Sequence, residues 1–238
     1  FSTELSLTKQ FLSLKDLTLN TDHTLLQGDI KFNLHDGSWS DFADRVRWDM
    51  NIQQGSQISG YDISYFVTNW DNIKPFNLSG TMTGPLNKFH LENFLIRNPD
   101  VNIATKTMKV DNLLKGHFAI ETKDLSADFT YKDLKAMMPS FISKKMKNFA
   151  DDFGKLKYNG TARVNPDQIY VDSGNLMTGI GQAKISKLTL SGYSTAMPKY
   201  SGYLDVKDLN TSVITKNKTV GLISGKFDLN GQSFDVNT

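Results

Sequence analysis

Apolar and polar residues alternate with period two through most of this 238-residue chain. Alternation sends successive side chains to opposite faces of an extended strand, so it commits the chain to β-structure with one apolar side. In FLSLKDLTLN and GDIKFNL that side is carried by Leu12, Leu14, Leu17 and Leu19, then by Ile30, Phe32 and Leu34. The step from Leu14 to Leu17 is three residues, which would turn the strand over unless a β-bulge or a break absorbs it. The pattern continues through Leu78, Phe89, Leu91, Phe94 and Ile96, then Phe118 and Ile120. It resumes late in the chain at Leu188 and Leu190, at Leu204 and Val206, and at Phe227 and Leu229.

Two stretches break the alternation. YKDLKAMMPSFISKKMKNFADDFG, residues 131–154, has helical spacing. Met138, Phe141, Ile142, Met146, Phe149 and Phe153 fall on one face at steps of three and four. Pro139 suits a first turn and Gly154 the position just past a helix end, so an amphipathic helix is expected near 139–153. In YDISYFVTNW, residues Ile63, Phe66, Val67 and Trp70 share a face, with Asp62 as the expected N-cap. SDFADRV is expected to form one helical turn with Phe42 and Val46 on one side.

Internal similarity points to a repeat. Apolar-x-apolar-x-x-apolar-x-apolar occurs as LSLKDLTL from Leu12, FHLENFLI from Phe89 and AKISKLTL from Ala183. Asp62 in GYDI, Asp133 in YKDL and Asp208 in VKDL are each followed by a helical or irregular patch. A strand containing Gly80, Gly160 or Gly225 comes next. The expected unit is roughly 70–80 residues of strands with a short crossing element, in one continuous segment, 1–238, of a longer polypeptide.

Chemistry is sparse. His23, His35, His90 and His117 lie far apart and have no metal-ligand spacing. No phosphate-binding, dinucleotide-binding or nucleophile-elbow motif occurs. The Asp151-Asp152 pair matches no calcium loop, and TGIGQ at 178–182 reads as a turn between strands. No cysteine is present, so disulfides and thiolate metal sites are excluded. A net charge of +2 implies no nucleic-acid partner. These features argue against an enzyme and call for no cofactor or metal.

The apolar side is the remaining signal. The same residues serve equally as the dry core of a sandwich or barrel, or as the lining of a sheet curled into an open trough. An apolar trough suits acyl chains. The Met- and Phe-rich helix face would plug it, cap its edge or gate it.

The motifs GYDISYF, FNLSGTMTGPLNKFHLENFLI, FTYKDLKAMMP, KLKYNGTARV, LTLSG, YSGYLDVKDL and GKFDLNGQSFDV, taken in order, resemble the AsmA-like, TamB-type proteins of the Gram-negative envelope. The Bacteroidota forms are the most similar. The resemblance implies an elongated, twisted antiparallel β-groove of repeating units in the periplasm. It also implies an inner-membrane anchor and a contact with an Omp85-type outer-membrane barrel, both through regions outside this piece. The implied function is passage of phospholipid acyl chains between the membranes, with the residues of the apolar side as the groove lining. A scaffold for outer-membrane protein assembly is the alternative, and a sugar-binding sandwich using Trp39, Trp48 and Trp70 is a further one.

Overall fold

Every long alternating run becomes a strand, and the long strands pair in sequence order in antiparallel ladders. The computed structural model describes residues 1–64, 73–137, 153–193, 195, 197–215, 219 and 221–233. Along the chain the strands are β1 (Ser2–Leu7), β2 (Phe11–Asn20), β3 (Leu25–Asn33), β4 (Arg47–Ile52), β5 (Gln57–Ile58), β6 (Phe76–Gly84) and β7 (Lys88–Arg97). They continue with β8 (Val101–Asp111), β9 (Ala119–Thr130), β10 (Lys155–Val164), β11 (Gln168–Thr178), β12 (Gly181–Ser191), β13 (Lys199–Asn210) and β14 (Leu222–Gln232). All belong to one sheet. Thirteen stand in sequence order from β1 to β14, and the two-residue β5 bridges β3 and β6 beside that file. Among the described residues β1 and β14 do not pair, so the described strands form an open sheet and do not close into a barrel. At the usual strand spacing it runs for roughly 60 Å.

Among the described residues no second sheet exists to make a sandwich. The accessible surface agrees. It is 14614 Å² for 26.7 kDa, against roughly 10,700 Å² for a compact monomer of that mass. The mainly-β fold expected from the alternation, and the elongated antiparallel sheet that the resemblance implies, are therefore the ones observed.

The three-residue step at Leu14–Leu17 is absorbed by a bulge at Lys15-Asp16, where the β2–β3 register shifts. The same device recurs at Asn93 in β7, Asp124 in β9, Lys187 in β12 and Asp208 in β13, each with a register shift against a neighbour. All five residues adopt left-handed backbone, with φ between 48° and 54°. Four are Asp or Asn, the non-glycine types that tolerate this region best. Each is followed by Leu or Phe on the apolar side. The repeated LSLKDLTL-like pattern is thus a bulge signature. β10 and β11 shift register where β11 carries the extra residue Asp172. In the ladders Asn93, Lys106 and Asp124 lie side by side on β7, β8 and β9, and Asp172 lies beside Lys187 on β11 and β12. Bulges bend a strand and sharpen its twist. A line of them across neighbouring strands bends the sheet lengthwise.

Small residues stand on the inner side of this bend. A Cβ on Gly80 would lie 2.7 Å from the Phe94 Cα, and one on Gly202 would lie 2.6 Å from the Leu188 Cα. Both glycines face the bulge of the adjacent strand. The bulge brings that backbone so close that no side chain fits.

Short helices sit at both rims. α1 (Phe42–Arg45) is the turn expected from SDFADRV and sits in the β3–β4 connection, while α2 (Gly60–Ser64), α3 (Tyr131–Met137) and α4 (Thr211–Thr215) join strands at the opposite end. The starts of α2, α3 and α4 fall 71 and 80 residues apart. α3 stands between strands that neighbour each other in the sheet, with Thr130 of β9 opposite Lys155 of β10. One detail corrects the expectation: the caps lie upstream. Ser59, not Asp62, accepts from the Tyr61 N–H at 3.1 Å, and Thr130 accepts from the Asp133 N–H at 3.1 Å. Asp62 and Asp133 therefore occupy matching positions three residues after a cap, whereas Asp208 belongs to a bulge and Asn210 caps α4. α3 begins eight residues before Pro139, and the amphipathic helix expected near 139–153 lies outside the described residues except for Phe153. Met138, Phe141, Ile142, Met146 and Phe149 lie outside the described residues, as do Phe66, Val67 and Trp70.

At the rim opposite α2–α4, Asn87 ties three connections together. Its amide donates to Asp44 at 2.8 Å and its carbonyl oxygen accepts from the Leu114 N–H at 2.8 Å. Its own N–H donates to the Ala43 carbonyl at 2.8 Å. Lys115 approaches Asp44 at 2.9 Å and, with Asn87, holds that carboxyl below its ordinary pKa. Replacing Asn87 by Ala removes both side-chain hydrogen bonds that join these connections, so a loss of about 1–2 kcal/mol is expected in equilibrium urea unfolding.

Candidate functional site: the apolar inner face

Directly opposed residues of an antiparallel ladder point to the same side, so the registers trace each face through the sheet. One row runs Leu5, Leu14, Ile30, Met50, Met82 and Leu91 from β1 to β7. It continues through Met108, Thr122, Ala162, Val171 and Leu188 to β12. A second passes through Leu78, Ile96, Ile103, Ala127, Tyr158, Leu176, Ala183 and Val206. A third joins Phe89, Val110, Ile120, Val164, Ile169, Leu190 and Tyr200. In the last strands Ile185, Leu204 and Phe227 form a further row.

All sixteen proposed lining residues that lie in strands share this one face: Leu12, Leu14, Ile30, Phe32, Leu78, Phe89, Leu91, Phe94, Ile96, Ile120, Leu188, Leu190, Leu204, Val206, Phe227 and Leu229. Without the bulges, half of them would point the other way. Leu34 and Phe118 fall outside the strands. Leu34 lies just past β3, where its N–H donates to the Gln10 carbonyl at 2.7 Å, and Phe118 precedes β9. Phe153, from the expected helix face, sits in a short turn before β10 and is half-buried.

Burial is one-sided. Leu17, Ile52, Phe76, Leu91, Val101, Val110, Val171, Ile185 and Val206 are buried, and all belong to this face. A flat single sheet exposes both faces alike, so one-sided burial identifies the apolar side as the inside of the bend. Leu17, Ile30 and Ile52 pack with Leu14, Leu19, Leu26, Phe32, Met50 and Leu78 into a dry cluster under β2–β6. At the last strand the face opens, and Phe227 is 37% exposed. At the first strand Leu5 is 61% exposed. Phe32, Trp48, Trp39 and Phe42 close one end of the N-terminal half, with ring centroids of Phe32 and Trp48 4.8 Å apart. Trp39 and Trp48 thus serve an apolar cluster.

Sequence alternation missed Met50, Tyr158, Val171 and Ile185 on this face, although Ile30, Leu188 and Leu204, the ladder partners of Met50, Val171 and Ile185, were named. The Tyr158 ring lies over the glycine floor of β10–β11, where a Cβ on Gly174 would meet it at 2.7 Å. Its hydroxyl donates to the Thr161 carbonyl at 3.3 Å, and burial pushes the phenol above its ordinary pKa.

The outer face is ionic. Arg163 meets Glu121 at 3.4 Å, Lys88 meets Asp111 at 3.5 Å, and Lys157 meets Asp128 at 3.6 Å, all from adjacent strands. Such exposed pairs contribute little to stability, but they keep this side in water. A shallow depression of about 370 Å³ lies there among Arg163, Tyr170 and Glu121. Among the described residues no cluster of acids and histidines forms a metal site, and no helix is long and apolar enough to cross a membrane. No protein-family model, curated protein or solved structure matches the chain.

Proposed function

We propose that this chain is a stretch of a lipid conduit, and that its inner face shelters phospholipid acyl chains while headgroups stay in water. The observation that supports this most is a continuous apolar face across thirteen hydrogen-bonded strands, with no second sheet on it among the described residues. An acyl chain of about sixteen methylenes gains roughly 13 kcal/mol on full burial, and half of that on a surface covering one side. Many similar apolar positions bind without fixing a register, as sliding requires. On the resemblance to TamB-type proteins this reading takes the stretch to work in the periplasm, with an anchor and an Omp85-type partner reached through other regions of a longer polypeptide.

The second reading is a scaffold for outer-membrane protein assembly, whose strand edges pair with client strands. Native mass spectrometry of the protein purified without detergent separates the two. The conduit predicts bound phospholipid that is lost on extraction and regained from vesicles. A lipid-free protein that captures extended peptides instead would favour the scaffold.

A further inference from the structure

We infer that lipid headgroups leave the inner face at the rim that carries α1, and that the Trp48 indole N–H donates there to the ester carbonyl of a glycerophospholipid. The inference rests on the conduit reading and names a contact within it. Trp48 is the second residue of β4. Its ladder row runs Leu7, Leu12, Phe32, Trp48 and Gly84, and this is the inner-face row next to that rim. Leu14, Ile30, Met50 and Met82 form the next row inward. An acyl chain lying along β4 over Met50 and Ile52 therefore brings its ester to Trp48 and its headgroup past the rim into water.

The indole nitrogen is what singles this position out. Trp48 Nε1 is buried and has no hydrogen-bond partner. Phe32 and Phe42 meet the indole edge-on, at 80° and 70° with centroids 4.8 and 5.5 Å away, and offer it no oxygen or nitrogen. Among the described residues the other buried polar atoms without a hydrogen bond are on His90, Asn102 and Asp128. Those belong to the ionic outer face, where Lys155 meets Asp128 at 2.9 Å. Trp48 stands on the apolar face instead. A buried donor left unpaired is costly, and an acceptor that reached it would recover that cost. Such an acceptor has to arrive with an apolar body, since Phe32, Phe42 and Trp39 surround the place. An ester carbonyl lies between acyl chain and headgroup and meets both needs. A phosphate or carboxylate would carry a full charge into the cluster. A tryptophan, apolar in body with a donor at one edge, suits that boundary. Phe42 is 37% exposed and sits in α1, and it moves aside as the lipid seats.

The test reads the N–H itself. The chain has three tryptophans, so isotope labelling of the indoles in the full chain gives three N–H signals by NMR, and the one lost in Trp48→Phe belongs to Trp48. Lipid-free protein is loaded from vesicles of dioleoyl phosphatidylcholine or of its di-ether analogue, which lacks both ester carbonyls. Native mass spectrometry measures the loading. The ester lipid is expected to shift the Trp48 N–H proton downfield, as a new hydrogen bond does, and the ether lipid is not. Loading from both vesicles with the Trp48 signal unmoved, or moved alike by either lipid, would overturn the inference and leave the conduit standing. Loading from neither would end the conduit reading and this inference with it.

Discussion

Gly202→Ala is expected to cost about 4 kcal/mol, among the largest single-residue losses this sheet can suffer. The added Cβ would sit 2.6 Å from the Leu188 Cα and 2.8 Å from the Lys187 carbonyl oxygen. Both atoms are backbone and cannot rotate away. Gly202 also has φ +139°, which an L-residue adopts only with strain. Overpacking and strain each contribute roughly 1–3 kcal/mol. The bulge at Lys187 would have to flatten. That would turn Leu188 and Leu190 out of phase with Val171 and Ile169. Gly221→Ala is the control, since no atom lies within 4 Å of its added Cβ. It should change stability by less than about 0.5 kcal/mol. Urea unfolding of both variants decides the matter, and equal stabilities would refute the pairing of glycine with bulge.

Leu190→Glu should abolish lipid carriage through this segment while the sheet persists. Leu190 lies on the inner face of β12 between Ile169 and Tyr200, and it is half-buried. A carboxylate there loses water whenever an acyl chain covers it, at a cost of several kcal/mol unless it protonates. Bound phospholipid should fall at least about tenfold, since each 1.4 kcal/mol is a factor of ten. Thr189→Glu is the matched comparison. It is the next residue along the chain, on the outer face opposite Ser201, and should leave lipid content unchanged. Equal losses from both variants would mean that the charge acts through folding and not through the face it occupies.

Much of this architecture was legible in the sequence. Alternation locates the strands, and the apolar phase is right at every proposed lining residue that lies in a strand. The step from Leu14 to Leu17 foretells a bulge, which the structure supplies at Lys15-Asp16. That the same step recurs in four more strands was partly hidden. In IETKDLSA of β9 the apolar position before the bulge is held by Thr122, which breaks the pattern by eye although it is buried on the inner face. The roles of Gly80 and Gly202 were not legible. They depend on which strand lies alongside, and a glycine in a strand does not announce its neighbour. No separate helix start was placed at Tyr131, because Pro139 is a strong first-turn signal. The cap at Thr130, answered by Asp133 three residues later, is a local signature that competes with it and was there to be read. Asp208 matched Asp62 and Asp133 in sequence but not in role, because a left-handed bulge and a first helical turn both favour aspartate.

The central claim is that the two faces of one sheet have different partners, lipid inside and water outside. Site-specific photo-crosslinking in cells tests it most directly. The probe would be placed at Phe94, Leu190 and Leu204 on the inner face and at Lys187, Thr189 and Asp205 on the outer side, with radiolabelled phospholipid sought on the protein. The account predicts lipid adducts at the first three positions and none at the second three. Adducts at neither set in a folded, functional protein, or equally at both, would contradict it.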